Sequence, residues 1–253
     1  MMTYKNIGRM GRFANALFQI AGTIGIAVRS GQPYSFPLYV NHDAKERFGT
    51  TEDINVYKYF INPLPVLPGD LNFSDYDYFW GYRDIQLTSG NWNFNSHFQS
   101  ERYFSHCIDL IRHYFTMEHE IDIDGCCVHM RFGDYSRDPD GYHPCPSTEY
   151  YREALTHIPK GTQIFLFSDD PDEAVKKMNP ITKNYMLMDM DYIDSFRMMK
   201  RCKHFVTANS SYSLMAAILS EYKDKVVVCP KNWFGPTVGL ETADLYPYNS
   251  IVI

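Results

Sequence analysis

The second half of the chain alternates short, almost continuous apolar runs with amphipathic stretches, and this constrains the fold more than any other feature. Residues 126–130 (CCVHM), 163–167 (QIFLF), 185–188, 204–208 (HFVTA) and 225–229 (KVVVC) have the length of strands. Between them lie helix patterns. One opens at Ser147 or Thr148 and places Tyr151, Ala154, Leu155 and Ile158 on one face. The next begins Asp170-Pro171-Asp172-Glu173, with an N-cap, proline at the first helical position and an acidic first turn. Two more span 192–203 and 213–222, the last capped by Ser210 or Ser211. Strands that alternate with helices at this spacing need crossover connections, hence a parallel sheet. Continuous apolar runs suit strands covered on both faces. The expectation is an α/β fold whose C-terminal half is a parallel sheet with helices on both sides.

The first half follows no such rule. A strand is expected at 4–7, a helix at 15–30 and a strand at 34–40 interrupted by Pro37, while 41–95 is rich in Pro, Asn, Asp and aromatics and gives no clear element. From Ser100, the spacing of Tyr103, Phe104, Cys107, Ile108, Ile111, Tyr114 and Phe115 predicts a helix with a core-facing side. The chain has 253 residues, enough for one large or two small domains, and a boundary near this helix divides it into residues 1–110 and 111–253.

Composition removes several function classes. The net charge of −6 carries no basic footprint for duplex nucleic acid. Residues 17–28 are apolar and follow basic residues, but they contain Gln19 and Thr23 and are too short to span a bilayer. The chain reads as soluble, cytoplasmic and free of membrane insertion. Six cysteines without a CxxC pair read as reduced thiols, and His143-x-Cys145 with Cys202-x-His204 matches no common zinc module. Asp-x-Asp occurs five times among 20 Asp, too often for spacing alone to mark a metal site, so no metal is expected. The aromatic share of 16% is high. Tyr joins a flat apolar body to a polar tip, which suits stacking on sugars or bases as well as ordinary core filling. The stretch from Tyr76 to Trp92 is the first place to look for sugar-stacking rings.

Four apolar runs of the second half end in polar clusters: Arg131-Phe132-Gly133-Asp134-Tyr135, Ser168-Asp169-Asp170, Asn209-Ser210-Ser211-Tyr212-Ser213 and Pro230-Lys231-Asn232-Trp233-Phe234. Parallel strands put their carboxyl ends on one edge, where open α/β sheets bind ligands. Arg131 offers a planar cation for phosphate oxygens. Ser210 and Ser211 open a helix, where backbone N–H groups favour an anion. Asp169 and Asp170 could accept from the N1–H and amino group of guanine. Each residue also has an ordinary explanation as a cap or surface ion pair. Their convergence is what points to a nucleotide or nucleotide-sugar.

At these clusters the chain resembles the α-1,2-fucosyltransferases of glycosyltransferase family 11, in a short form of bacterial or viral type. Gly11-Arg12-Phe13-Ala14-Asn15-Ala16-Leu17-Phe18-Gln19 is similar to that family's N-terminal G-[RG]-[LF]-G-N-Q-M-F-Q element. Phe98-Gln99-Ser100-Glu101-Arg102-Tyr103-Phe104 is similar to F-Q-S-E-K-Y-F, and His129-Met130-Arg131-Phe132-Gly133-Asp134-Tyr135 to H-x-R-R-G-D-Y. Three further elements follow, at 167–170, 202–213 and 230–234.

The resemblance implies a GT-B-like fold of two Rossmann-like halves with a nucleotide-sugar cleft between them. Residues 1–110 would then face the acceptor and 111–253 bind the GDP-sugar. It further implies inverting transfer of L-fucose from GDP-β-L-fucose to the 2-OH of a galactose-type acceptor, without a cofactor or obligatory metal. Arg131 would stabilise the departing GDP, and His129 would lie near the guanosine. Asp169 or Asp170 would read the guanine, and Asn209, Ser210 and Ser211 would support the phosphates. Arg12 and Asn15 would approach from the N-terminal half, while Asp134 would orient the motif loop. For the base that takes the acceptor proton, the following loop offers Asp138, Asp140 and His143, of which Asp138 or Asp140 is preferred. Phe132 stands where the family has a second Arg, so a positive charge is expected to be missing beside the leaving group. Two alternatives remain: a transferase with another nucleotide-sugar or linkage, and a non-catalytic GDP-sugar- or glycan-binding protein of the same fold.

Overall fold

A computed structural model describes residues 1–38, 56–69, 71–137 and 141–253. The chain forms two compact units, Met1–His119 and Glu120–Ile253. The division thus falls beyond residue 110, where the sequence boundary was drawn.

In the second unit, β4 (Ile123–Met130), β5 (Gln163–Ser168), β6 (Met186–Met188), β7 (Cys202–Val206), β8 (Val227–Cys229) and β9 (Ile251–Val252) form one sheet. Its order is β6-β5-β4-β7-β8-β9 and every pairing is parallel. Counted from β4 as the first strand, this is the 3-2-1-4-5-6 order of a doubly wound dinucleotide-type fold, and the order reverses between β4 and β7. The alternation in the sequence is therefore a faithful image of the topology, except that β9 was not foreseen.

Helices α3 (Thr148–Thr156), α4 (Pro171–Met178), α5 (Tyr192–Met199) and α6 (Ser211–Leu219) connect these strands. Each begins where a side chain satisfies an orphan N–H. Ser147 accepts from Tyr150 N, Asp170 from Glu173 N, Asp191 from Ile193 N and Asp194 N, and Ser210 from Tyr212 N. Two helices differ from expectation. α5 stops at Met199 because Cys202 and Lys203 already belong to β7, and α6 ends at Leu219 rather than 222. The core gathers Val128, Met130, Leu166, Val206 and Val228 from the sheet with Tyr150, Tyr151, Ala174 and Met178 from the helices.

The first unit has a much smaller sheet. β1 (Met2–Thr3), β2 (Ser74–Asp75) and β3 (Trp92–Asn93) pair in the order β1-β3-β2, again all parallel. Helix α1 (Phe13–Arg29) is buried along most of its length. The strand expected at 4–7 is instead β1, two residues earlier. Past Thr3 the chain leaves the ladder, and Lys5 N donates to the Asn93 side chain at 2.8 Å. The region from 34 contributes only isolated bridges, Met2 to Tyr34 and Phe36 to Val66, and its last two residues lie outside the described ones.

The helix expected from Ser100 is divided. Two 3₁₀ turns, Glu101–Tyr103 and Ser105–Cys107, precede α2 (Ile108–Tyr114). Tertiary contact overrides the helical period here. α1 approaches so closely at Gly25 that a Cβ there would lie 2.1 Å from Tyr103 O. The Tyr103 hydroxyl, meanwhile, accepts from Arg83 N at 2.9 Å and donates to Gly81 O at 3.1 Å.

Candidate active site

The reversal of strand order sets the place of the site. β4 has neighbours wound in opposite directions, so the segments after β4 and β7 diverge and leave a crevice between them. The segments that follow β4, β5, β7 and β8 share this edge of the second unit, as the parallel register requires.

Arg131, the first residue beyond β4, carries the strongest charge organisation there. Its Nη1 contacts Asp169 Oδ2 at 2.8 Å and its Nη2 contacts Asp134 Oδ1 at 2.5 Å. Burial opposes the guanidinium's charge, but Asp169 and then Asp134 override it and raise the group above its ordinary pKa. Arg131 is thus a fixed cation held in a fork of two carboxylates. The Arg131 side chain is 19% exposed and Asp134 53%, so Asp134 is the arm of the fork open to solvent.

Asp169 has a second task. Its Oδ1 accepts from Phe132 N at 2.9 Å, which ties the loop after β4 to the end of β5. Gly133, at φ +21°, allows this clasp, because a Cβ there would fall 2.4 Å from Asp169 Oδ2. Both Asp169 oxygens are therefore engaged within the protein. Asp170 caps α4, its Oδ1 accepting from Glu173 N at 3.1 Å.

Below the fork, His129 is buried, and its Nδ1 meets Ser213 Oγ at 2.9 Å. Burial, with Arg131 adding repulsion, holds its pKa down at about 3, so the imidazole is neutral at physiological pH. Asn209 is fully buried. Its Nδ2 donates to Pro144 O and to Trp233 O, both at 2.9 Å, and its backbone carbonyl accepts from the Tyr135 hydroxyl at 3.1 Å. One residue therefore joins the loops after β4, β7 and β8. Ser210 caps α6 and Ser211 is its first residue, so the N-terminus of that helix opens on the same edge.

The position expected to lack a charge is turned inward. Phe132 is 7% exposed and packs in the core with Tyr150 and Tyr151, while Lys177 lies over its ring at 5.1 Å. An aromatic residue at 132 is a core matter, and Arg131 alone of the pair reaches the edge.

For Tyr135, Phe234, Ser213 and Tyr150 the sequence suggests no role of their own, and for His143 only that of a base. Tyr135 receives Arg131 over its ring at 5.6 Å and stacks on His143 at 4.6 Å and 13°, with Phe234 5.2 Å from the same imidazole. Ser213 and Tyr150 also work beneath the surface. The Tyr150 hydroxyl donates to Thr207 O and Val228 O, bracing the two strand ends that carry the Asn209 and Trp233 loops. A hydroxyl 57 and 78 residues away from its partners leaves no periodic trace.

Of the expected site residues, the edge therefore brings together His129, Arg131, Asp169, Asp170, Asn209, Ser210 and Ser211. Asp138 and Asp140, expected as the base, lie outside the described residues. Arg12 and Asn15 belong to the first unit. Arg12 is the residue before α1, and Asn15 Oδ1 accepts from Gln99 Nε2 at 2.5 Å, which joins the elements at 11–19 and 98–104. Gln19 closes that arrangement, accepting from Gly8 N and donating to Met10 O.

The family model for glycosyl transferase family 11 matches residues 69–244. The O-antigen biosynthesis glycosyltransferase WbnK of Escherichia coli is 34% identical over 116 residues, which are 42% of this chain and 38% of that protein. An alpha-1,2-colitosyltransferase of Escherichia coli is 26% identical over 166 residues, 57% of each chain. The chain thus spans well under two thirds of the length of these curated relatives. Among solved structures, the fucosyltransferase NodZ from Bradyrhizobium aligns with TM-score 0.49 and 12% identity over 86% of this chain and 93% of that one. The E. coli heptosyltransferase WaaC with ADP aligns with TM-score 0.47 and 10% identity over 100% and 90%.

Proposed function

The chain belongs to glycosyl transferase family 11, and from that premise we propose that it moves L-fucose from GDP-β-L-fucose to the 2-OH of a galactose-type acceptor, with inversion. The observation that carries the donor half is the fork around Arg131 at the switch point of the sheet. A diphosphate offers the guanidinium the same bidentate oxygen geometry that Asp134 and Asp169 now provide. It would displace the exposed Asp134 and leave Asp169 holding the far side of the cation.

As the bond from C1 to the departing oxygen breaks, negative charge grows on the β-phosphate, and a preformed cation beside it lowers the barrier without reorganising. The N-terminus of α6, with Ser210 and Ser211, supplies aligned N–H dipoles for the same charge. Because both oxygens of Asp169 are engaged, Asp170 is the carboxylate we assign to guanine. His129, neutral and buried, supports the phosphate edge through Ser213. The proton of the acceptor hydroxyl is assigned to Asp138 or Asp140. No cofactor and no metal enter the proposal.

A second reading has one observation in its favour: a relative bears the name alpha-1,2-colitosyltransferase, and in this reading the transferred sugar is not fucose. Calorimetry with GDP, UDP and ADP tests the nucleotide, and incubation with GDP-fucose and a panel of β-galactosides, with and without chelator, tests transfer. GDP is expected to bind best. Arg131→Ala is expected to lower turnover at least a thousandfold, about 4 kcal/mol, with an unchanged far-UV spectrum. Equal binding of the three nucleotides would refute the donor, and full turnover in Arg131→Ala would refute the phosphate role.

A further inference from the structure

The strands β1, β2 and β3 of the first unit run parallel, so the segments that follow them also share one edge. After β1 the chain runs through Tyr4 into the loop before α1. After β2 come Tyr76 to Trp80, and after β3 come Phe94 to Gln99. Cross-links hold these segments in fixed relation. Lys5 N donates to Asn93 Oδ1 at 2.8 Å, Asn93 Nδ2 donates to Asp75 Oδ1 at 2.6 Å, and Phe79 N donates to Ser96 Oγ at 3.2 Å.

Within this edge the aromatic residues divide by burial. Phe79 and Phe98 are buried and pack on each other at 6.0 Å, with Phe94 and Tyr103 about Phe98 at 5.3 and 5.0 Å. Phe98 holds φ +53°, a left-handed conformation that a bulky residue rarely adopts, and its neighbours His97 and Gln99 are both partly exposed. Tyr78, 51% exposed, and Trp80 both meet His97 edge to face, their rings 6.2 and 6.0 Å from the imidazole at 80° and 69°. Gln99 joins Asn15 at 2.5 Å.

We propose that Tyr78, Trp80 and His97 form a hexopyranose-binding subsite that receives the acceptor sugar, with the Asn15–Gln99 amide pair at its polar border. The chemistry matches on both sides. A pyranose presents a face of C–H bonds that lies against aromatic rings and a rim of hydroxyls that need donors and acceptors together. Tyr and Trp supply broad rings with a polar handle, and two amides supply N–H and C=O groups at once. The edge occupies in the first unit the place that the Arg131 fork occupies in the second, beyond the carboxyl ends of parallel strands. The assignment of this sugar as the acceptor rests on the glycosyl-transfer reading above.

Saturation-transfer difference NMR with methyl β-D-galactopyranoside and with lactose tests the subsite directly, without turnover. The unaltered protein is expected to give signals strongest for the galactose ring protons. Trp80→Ala and Tyr78→Ala are expected to weaken them at least fivefold, and Trp80→Phe to restore most of the effect. In the transfer assay the acceptor KM should rise at least tenfold in Trp80→Ala, while GDP affinity by calorimetry changes less than twofold. Absence of galactose signals from the unaltered protein, equal signals from Trp80→Ala, or loss of the signals on adding GDP alone would each overturn the proposal. Failure of GDP to bind, with the sugar signals and their Trp80 dependence intact, would instead overturn the donor reading and leave the sugar subsite standing.

Discussion

The two units use the same rule with opposite means. Each places its polar or aromatic groups beyond the carboxyl ends of parallel strands. In the second unit a six-stranded sheet with strands of up to eight residues does the positioning, and the loops only have to leave it. Among the described residues of the first unit the three strands have two residues each, and long irregular segments are held by interlocking rings and side-chain amides. A backbone ladder fixes geometry through hydrogen bonds that any sequence of suitable polarity can make. A ring cluster fixes it through shape, which depends on each side chain. The first unit should therefore be the more sensitive to single core substitutions, and the second to loss of charge at its edge.

The largest expected effect on stability follows from that contrast. Phe98→Ala removes a buried ring that touches Tyr4, Phe79, Phe94 and Tyr103, and should destabilise the protein by about 3 kcal/mol or slightly more. Urea denaturation followed by Trp fluorescence measures it. A loss below about 1 kcal/mol would mean that the first unit does not depend on its rings as described.

The same contrast explains what the sequence could disclose. The second unit was legible because its strands repeat a pattern that only burial on two faces produces, and because capping residues such as Asp170 and Asp191 mark helix starts chemically. The family motifs also marked Arg131, His129, Asp169 and the 209–211 segment, and these do meet at one edge. Beyond α1, which matches the helix expected at 15–30, the first unit was not legible because its order comes from contacts distant in sequence. Tyr103 breaks a good helical pattern by bonding to Gly81 and Arg83, and Thr3 ends a strand because Asn93 offers Lys5 a side-chain partner. Within the site, the directions of side chains were hidden. Nothing in the motif shows that Phe132 enters the core while Arg131 turns out, or that Asp169 clasps the loop.

That clasp yields the intermediate effect. Asp169→Asn keeps an oxygen for Phe132 N but removes the charge that holds Arg131, and should lower kcat/KM by roughly 10- to 100-fold, about 1.4–2.7 kcal/mol, with little change in folding. Asp170→Asn retains the α4 cap, since Asn caps as well as Asp, and should lower the preference for GDP over ADP instead. Steady-state kinetics and calorimetry on the two variants separate the roles. If Asp169→Asn erased base preference and left Arg131-dependent turnover intact, the assignments would have to be exchanged.

The smallest effect concerns pH and the second unit's buried histidine. His129 is surrounded by Ser213 Oγ, the Tyr212 ring and the Arg131 charge, and its carbonyl accepts from the Tyr151 hydroxyl. Its pKa is about 3 in the fold against 6.5 when exposed, so the unfolded chain takes up a proton first as pH falls. The stability this gives is complete above about pH 6.5 and is lost progressively toward pH 3, at no more than about 1.4 kcal/mol per pH unit. His204 is also lowered by burial, but it is present in both proteins to be compared. His129→Asn keeps a partner for Ser213 and has no proton to gain, so its denaturation midpoint should fall less between pH 6.5 and 5 than that of the unaltered protein. Parallel curves would show that His129 takes up its proton in the fold at the same pH as in the unfolded chain, and so is largely charged there by pH 5. The neutral floor beneath Arg131 would then be a second cation, and the phosphate site would have to be redrawn with two charges instead of one.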